Sequence, residues 1–175
     1  RREVEPAALA GKVTRPLTGL RVAAYYGCML LRPEKELAFD DPEKPSILED
    51  HLRALGADVV EFSHRSECCG AYLSVSRPPA ARRASGDILR AAVRAGAEIV
   101  VTSCPLCFFN LDEQQAALQA EDYEFQTIPV AYFTQLTAMA LGAWDRPWHD
   151  GEHRVDPGPV LGRFAAAAPA VVAGA

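Results

Sequence analysis

A chain of 175 residues fits one domain and is long enough to bury a core, and 49% apolar with 23% charged residues is ordinary for a soluble globular protein. The net charge of −5 excludes the concentrated basic surface that phosphate recognition needs, and the short Arg clusters do not supply one, so nucleic acid is not an expected partner. The longest apolar run, "FAAAAPAVVAGA" at 164–175, is broken by Pro169 and falls short of the roughly 20 residues that span a bilayer, so no transmembrane segment is expected.

The first segment, "RREVEPAALAGKVTRPLTG", has no apolar signal core and does not begin with Met. It reads as a linker over residues 1–18, and the chain is expected to be a fragment or the downstream piece of a longer polypeptide. "LRVAAYYG" (20–27) is a β-prone run that stops at Gly27, with Cys28 immediately after it. "DDPEKPSILEDHLRALG" predicts a helix: Ser46 and Glu49 have capping-box spacing, Leu48, Leu52 and Leu55 share a face, and Gly56 ends it. "ADVVEF" (57–62) is the second strand, followed within a few residues by "ECCG". A second helix from about Pro79 to Gly96 presents Ile88, Leu89, Ala92 and Val93 to a core. "AEIVVTS" (97–103) is the third strand, with Cys104, Pro105, Leu106 and Cys107 directly behind it. A third helix starts there and runs through "FFNLDEQQAALQ"; "FQTIPVAYF" supplies a short fourth strand and "TQLTAMALG" a closing helix ended by Gly142. From residue 144 to 175 the chain is rich in Pro, Gly and Ala without clear periodicity and reads as a surface tail, which leaves residues 19–143 as the folded domain.

Alternation of strand and helix implies right-handed crossovers, and hence a Rossmann-like α/β fold: a parallel sheet of about four strands flanked by helices. All strands of such a sheet end at one edge, where α/β proteins bind ligands. Each cysteine group follows a predicted strand, so Cys28, Cys68, Cys69, Cys104 and Cys107 are expected on one rim. Adjacent side chains on extended backbone point to opposite faces, so Cys68 and Cys69 can serve one site only if the chain bends there, and Gly70 permits the bend.

Five cysteines, an odd number without a secretory signal, argue against a disulfide framework and for metal or redox chemistry in a reducing cytoplasm. Cys104 and Cys107 have the two-residue gap that lets both sulfurs chelate one centre. Pro105 suits the first helical turn, and a helix start there would favour thiolate over thiol. Structural zinc usually announces itself as two CxxC or CxxH clips, and only one is present. A dithiol redox pair at Cys104 and Cys107 leaves three thiols unexplained, and adjacent cysteines before a glycine are poor material for an apolar core. An iron–sulfur cluster accounts for the set best, although a regular cubane takes four cysteines and leaves one over.

This arrangement, a cysteine, a gap of 39 residues, Cys68-Cys69-Gly70, a gap of 34 counted from Cys69, then Cys104-Pro105-Leu106-Cys107, resembles the cysteine-rich CCG domain of the B-type component of heterodisulfide reductase and its relatives. The likeness covers roughly residues 19–142, including "IPVAYFTQLTAMALG", which is similar to the segment that closes such domains. The resemblance implies a noncubane 4Fe-4S cluster held by Cys28, Cys68, Cys69, Cys104 and Cys107, with Gly70 and Pro105 shaping the loops around it. It implies reductive cleavage of a small disulfide, with electrons from iron–sulfur and flavin partner subunits. It also implies a second CCG half outside this chain, and a cytoplasmic location with membrane association through partner subunits. Relatives in glycolate, lactate, glycerol-3-phosphate and succinate oxidation imply an alternative role in electron transfer or quinone reduction. From a different class, a zinc-stabilised interaction module remains the competing expectation.

Other residues near the cysteines carry weaker signals. His64 could donate a proton or a hydrogen bond to the site, and Arg32, Arg65 and Arg77 could offset cluster charge or bind an anion, though solvated loop positions suffice to explain all four. His51 reads as an ordinary mid-helix residue. His149, Asp150, Glu152 and His153 read as a solvated cluster in the tail.

Overall fold

The computed structural model describes residues 5–144 and 151–165. In chain order the elements are α1 (Pro6–Ala10), β1 (Arg21–Tyr25), α2 (Glu34–Leu37), α3 (Ile47–Ala54), β2 (Asp58–Val60), a 3-10 turn (Ala71–Leu73) and α4 (Pro78–Arg94). These are followed by β3 (Ile99–Thr102), α5 (Pro105–Glu121), β4 (Val130–Tyr132), α6 (Phe133–Ala140) and α7 (Gly158–Ala165). The four strands form one all-parallel sheet in the order β2-β1-β3-β4, with Val22 opposite both Val59 and Ile99. The expected α/β architecture is present.

Parallel strands covered on both faces read as continuous apolar runs, and the last four residues of β1 and all of β3 are buried. The pleat sends alternate side chains to two cores. Val22, Ala24 and Tyr26 join Leu48 and Leu52 of α3 and Leu55 just after it, Leu136 and Met139 of α6, and Leu161 of α7. Ala23 and Tyr25 join Ile88 and Leu89 of α4, Leu111 and Leu118 of α5, and two of the cysteines, Cys69 and Cys107. The chain passes from β1 outward to β2 and then crosses back beyond β1 to β3, so the strand order reverses between β1 and β3. That reversal opens a crevice at the carboxyl ends of these two strands, flanked by the Cys28 and Cys104 loops.

Three readings of the sequence are corrected. Ser46 is the residue before α3, but its hydroxyl makes no cap. Asp40 Oδ2 instead accepts from the N–H groups of Ser46 (2.8 Å) and Ile47 (2.7 Å), and the Tyr26 hydroxyl accepts from Leu48 N–H at 2.8 Å. Glu49, expected to close a capping box, turns inward to Tyr26 and Arg65. The expected surface tail is, over residues 151–165, packed: Leu161 is fully buried, and buried Asp112 accepts from the N–H groups of Arg154 and Val155. Arg163 closes the join with an ion pair to Glu98 at 2.9 Å. The expected linker likewise buries Leu9 and Leu17 in the α3 and α6 core. Composition misled at both ends, because a few leucines suffice to anchor segments whose other residues are small.

Candidate metal centre

Each cysteine loop is held by a local device. After β1 the main chain of Arg65 lies along the strand's extension, where its carbonyl accepts from Tyr26 N–H at 2.8 Å and Gly27 N–H at 3.4 Å. The Cys28 loop and the loop leading to Cys68 are thereby tied to each other. Gly27 has φ +69°, and a Cβ built on it would stand 2.9 Å from Cys107 Sγ. The turn at "CCG" depends on Gly70, with φ +77°, where a Cβ would stand only 3.0 Å from Ala81 Cα of α4. Gly70 N–H also reaches Cys68 Sγ at 3.4 Å. Cys104 is the cap residue of α5 and Pro105 its first residue, as expected, and Cys104 N–H donates to Thr102 Oγ1 at 3.3 Å.

The Cys69 turn is fixed from the helix side. Asn110, one turn after Cys107 and 1% exposed, donates from Nδ2 to the Cys69 carbonyl at 2.7 Å and to Ser85 Oγ at 2.9 Å. Ser85 donates to the same carbonyl at 3.1 Å, and Ser74 donates to Asn110 Oδ1 at 2.8 Å. Asn110 thus joins the CCG turn, α4 and the CxxC helix, and nothing in the sequence pattern singled it out.

The sulfurs are linked in pairs around the rim. Cys69 and Cys107 Sγ atoms lie 3.6 Å apart. Cys28 interacts with Cys68, and Cys104 with Cys107. Tyr25 lies behind them: its hydroxyl donates to the Glu67 carbonyl at 2.7 Å, and its titration is raised by burial and then by Cys69, Cys107, Cys68 and Cys28. Cys69 is drawn down to about 6 by its bond with Cys107, against the effect of burial, with help from Ala71 N–H, Asn110 and Tyr25. Cys107 is pushed up by the same bond and by burial. Cys28 is raised by burial and by Cys68. Among the described residues, no three His, Cys, Asp or Glu side chains converge on a single-ion position.

The remaining candidates fall into place individually. Arg65 pairs with Glu49 at 3.3 Å, Arg32 with exposed Glu43 at 3.1 Å, and Arg77 sits exposed at the start of α4. His64 Nδ1 meets its neighbour Ser63 Oγ at 2.8 Å. His153 stacks edge-on to Phe108 with ring centres 5.3 Å apart, and Gln135 meets its Nε2 at 3.2 Å, so it is docked and not merely solvated. His149 and Asp150 lie outside the described residues.

Glu49, 4% exposed, is held above the ordinary carboxylate range by burial, opposed by the Tyr26 bond and by Arg65. A raised folded pKa means the native chain binds the proton more tightly than the unfolded chain. Its contribution to stability is therefore full below the unfolded value and falls as pH rises to the folded one. Urea midpoints taken from about pH 4 to about pH 7 should fall less in Glu49→Gln than in wild type, and buried Asp112, also raised, supplies what remains. Superimposable profiles would refute this.

The cysteine-rich CCG domain model matches residues 22–112. The chain belongs to the CCG family. It is 40% identical over 134 residues to the 8-methylmenaquinol:fumarate reductase membrane anchor subunit of Wolinella succinogenes, covering 77% of this chain and 47% of that one. It is 34% identical over 145 residues to the B-type component of the ferredoxin/F(420)H(2)-dependent CoB-CoM heterodisulfide reductase of Methanosarcina acetivorans, covering 81% and 47%. A protein of Archaeoglobus profundus, named as similar to the same component of heterodisulfide reductase, is 30% identical over 133 residues, covering 72% and 44%. The CCG chain thus spans about half the length of these curated relatives. The first two are named as subunits of reductases, which makes an oxidoreductase role the shared denominator. Among the described residues of this CCG domain, no helix is long and apolar enough to cross a membrane.

Proposed function

We propose that the chain is the iron–sulfur CCG domain of a multi-subunit oxidoreductase, with Cys28, Cys68, Cys69, Cys104 and Cys107 as thiolate ligands of a noncubane 4Fe-4S cluster. The observation that carries this is the gathering of five sulfurs, from three loops, as linked pairs at the strand-order reversal. The donor set fits the group: iron–sulfur centres are held by thiolates, and paired sulfurs spread along a rim suit several metal atoms. Such a cluster supplies one-electron chemistry and sulfur-binding iron. The chain's own residues hold the loops and exclude water on the α4 and α5 side, where Cys69 and Cys107 are buried.

The first reading of the substrate is a small disulfide, reduced with electrons from iron–sulfur and flavin partner subunits. A second reading, a quinol or quinone, is favoured by an apolar hollow beside the cysteine loops and is in keeping with the menaquinol named for the Wolinella relative. A covering partner, such as a second CCG half, is supported by Met29, Tyr72, Val75, Leu106 and Phe109, five large apolar residues at 61–95% exposure beside the cysteines in sequence. Association with a membrane would run through such partners.

Anaerobic purification followed by iron, sulfide and zinc analysis tests the assignment. Iron and acid-labile sulfide in equal amounts are expected. Stoichiometric zinc without sulfide would instead establish the zinc-stabilised module.

A further inference from the structure

The carboxyl edge of the sheet has a second side. Cys69 and Cys107 belong to the core under α4 and α5, whereas the opposite face carries two adjoining hollows of about 320 and 230 Å³ that share Ile47, His51 and Phe133. The smaller is also lined by Ser103 and Leu30. Ser103 directly precedes Cys104, and Leu30 follows Cys28 by two residues, so the backs of the cysteine loops form its wall. Ligands of open parallel sheets bind in this position, outside the carboxyl ends of the strands.

The lining is mostly apolar; its polar residues are His51, Ser103, Thr137 and, in the larger hollow, Asp50, which pairs with Arg53 at 3.2 Å. The state of His51 follows from its neighbours. The Thr137 hydroxyl donates its only hydrogen to the Phe133 carbonyl at 2.7 Å, so toward His51 Nε2, also at 2.7 Å, it can only accept. Nε2 therefore carries the hydrogen. Nδ1 keeps its lone pair and has no hydrogen-bond partner among the described residues. Burial lowers the pKa of the imidazole, which is consistent with this neutral form. The Phe133 ring stands edge-on to His51 at 5.4 Å and helps wall the slot.

We infer that this hollow binds a planar apolar ring bearing a hydroxyl group, the chemistry of a hydroquinone, with the hydroxyl donating to His51 Nδ1. The inference rests on the redox reading above for its choice of ligand, and it gives the second substrate reading a location and a binding residue. A ring without a donor would fill the slot and leave Nδ1 unmatched.

The purified chain, kept anaerobic in excess dithionite so that probe and protein stay reduced, is titrated calorimetrically with 1,4-dihydroxynaphthalene and with 1,4-dimethoxynaphthalene. The dihydroxy probe should bind roughly tenfold more tightly, the worth of one hydrogen bond. His51→Leu should remove that preference, and Ile47→Trp, which fills the slot, should abolish binding of both. Equal affinity for the two probes in wild type overturns the inference without recourse to any variant. So does failure of both to bind, or unchanged binding in folded Ile47→Trp. Iron and sulfide measured on the same samples report separately on the cluster, so a negative titration with a full complement of both would remove only this site.

Discussion

Replacing Gly27 by alanine is expected to abolish cluster binding while the chain stays folded. The residue has φ +69°, a conformation that costs an L side chain about 1–2 kcal/mol. More important is where the new methyl would go: 2.9 Å from Cys107 Sγ and 3.6 Å from the Tyr25 ring. Tyr25 is buried and hydrogen-bonded to Glu67, so the thiol is the group that must move, and it is already in contact with Cys69. Gly96→Ala separates the two effects, because Gly96 has φ +82° and nothing within 4 Å of its would-be Cβ. Both variants should lower Tm by roughly 2–8 °C, at 2–4 °C per kcal/mol for a domain of this size. Only Gly27→Ala should lose iron and sulfide. Full iron in Gly27→Ala, or equal loss in Gly96→Ala, would show that the sulfur pocket is not shaped by this glycine.

Much of the scaffold was legible in the sequence because it is written in local signals. Short apolar runs ending in Gly27 or in a cysteine marked β1 and β3, and the leucines of α3 and the Ile88-Leu89 pair of α4 marked the helices that cover them. The cysteine spacing was legible for a different reason: parallel strands deliver their following loops to one edge whatever lies between. What escaped depends on partners far away in sequence. Glu49 has the spacing of a cap, yet Asp40 supplies that cap, and Tyr26, 23 residues upstream, captures the carboxylate. His51 appeared inert because its partner Thr137 is 86 residues further on. In α5 the buried face includes Asn110, Asp112 and Gln115, which breaks the apolar period that reveals a core helix. Each is matched to a main-chain group elsewhere: Asn110 to Cys69, Asp112 to Arg154 and Val155, and Gln115 to both the N–H and the carbonyl of Ile128. Buried polar residues matched in this way are spent on positioning, and Asn110 alone among them positions a cysteine.

Substitution of Asn110 should therefore separate the fold from the site. Leucine is bulkier than asparagine, and Asn110→Leu leaves Ser74 Oγ without its acceptor and the Cys69 carbonyl with Ser85 alone, a cost of about 2–3 kcal/mol before any overpacking. Asn110→Asp is nearly isosteric and still accepts from Ser74. It replaces the Nδ2 donor with an oxygen set against the Cys69 carbonyl oxygen, and brings negative charge toward a sulfur whose thiolate form Asn110 otherwise supports. If Asn110 only fills space and satisfies α5, Leu should be the worse variant in both thermal stability and iron content. If it positions Cys69 for the metal centre, the order should split: Leu at or below Asp in Tm, but Asp well below Leu in iron and sulfide bound. Ser85→Ala, which leaves the Asn110 bond to Cys69 intact, should retain most of its iron, because one strong donor on the carbonyl is enough to hold the turn.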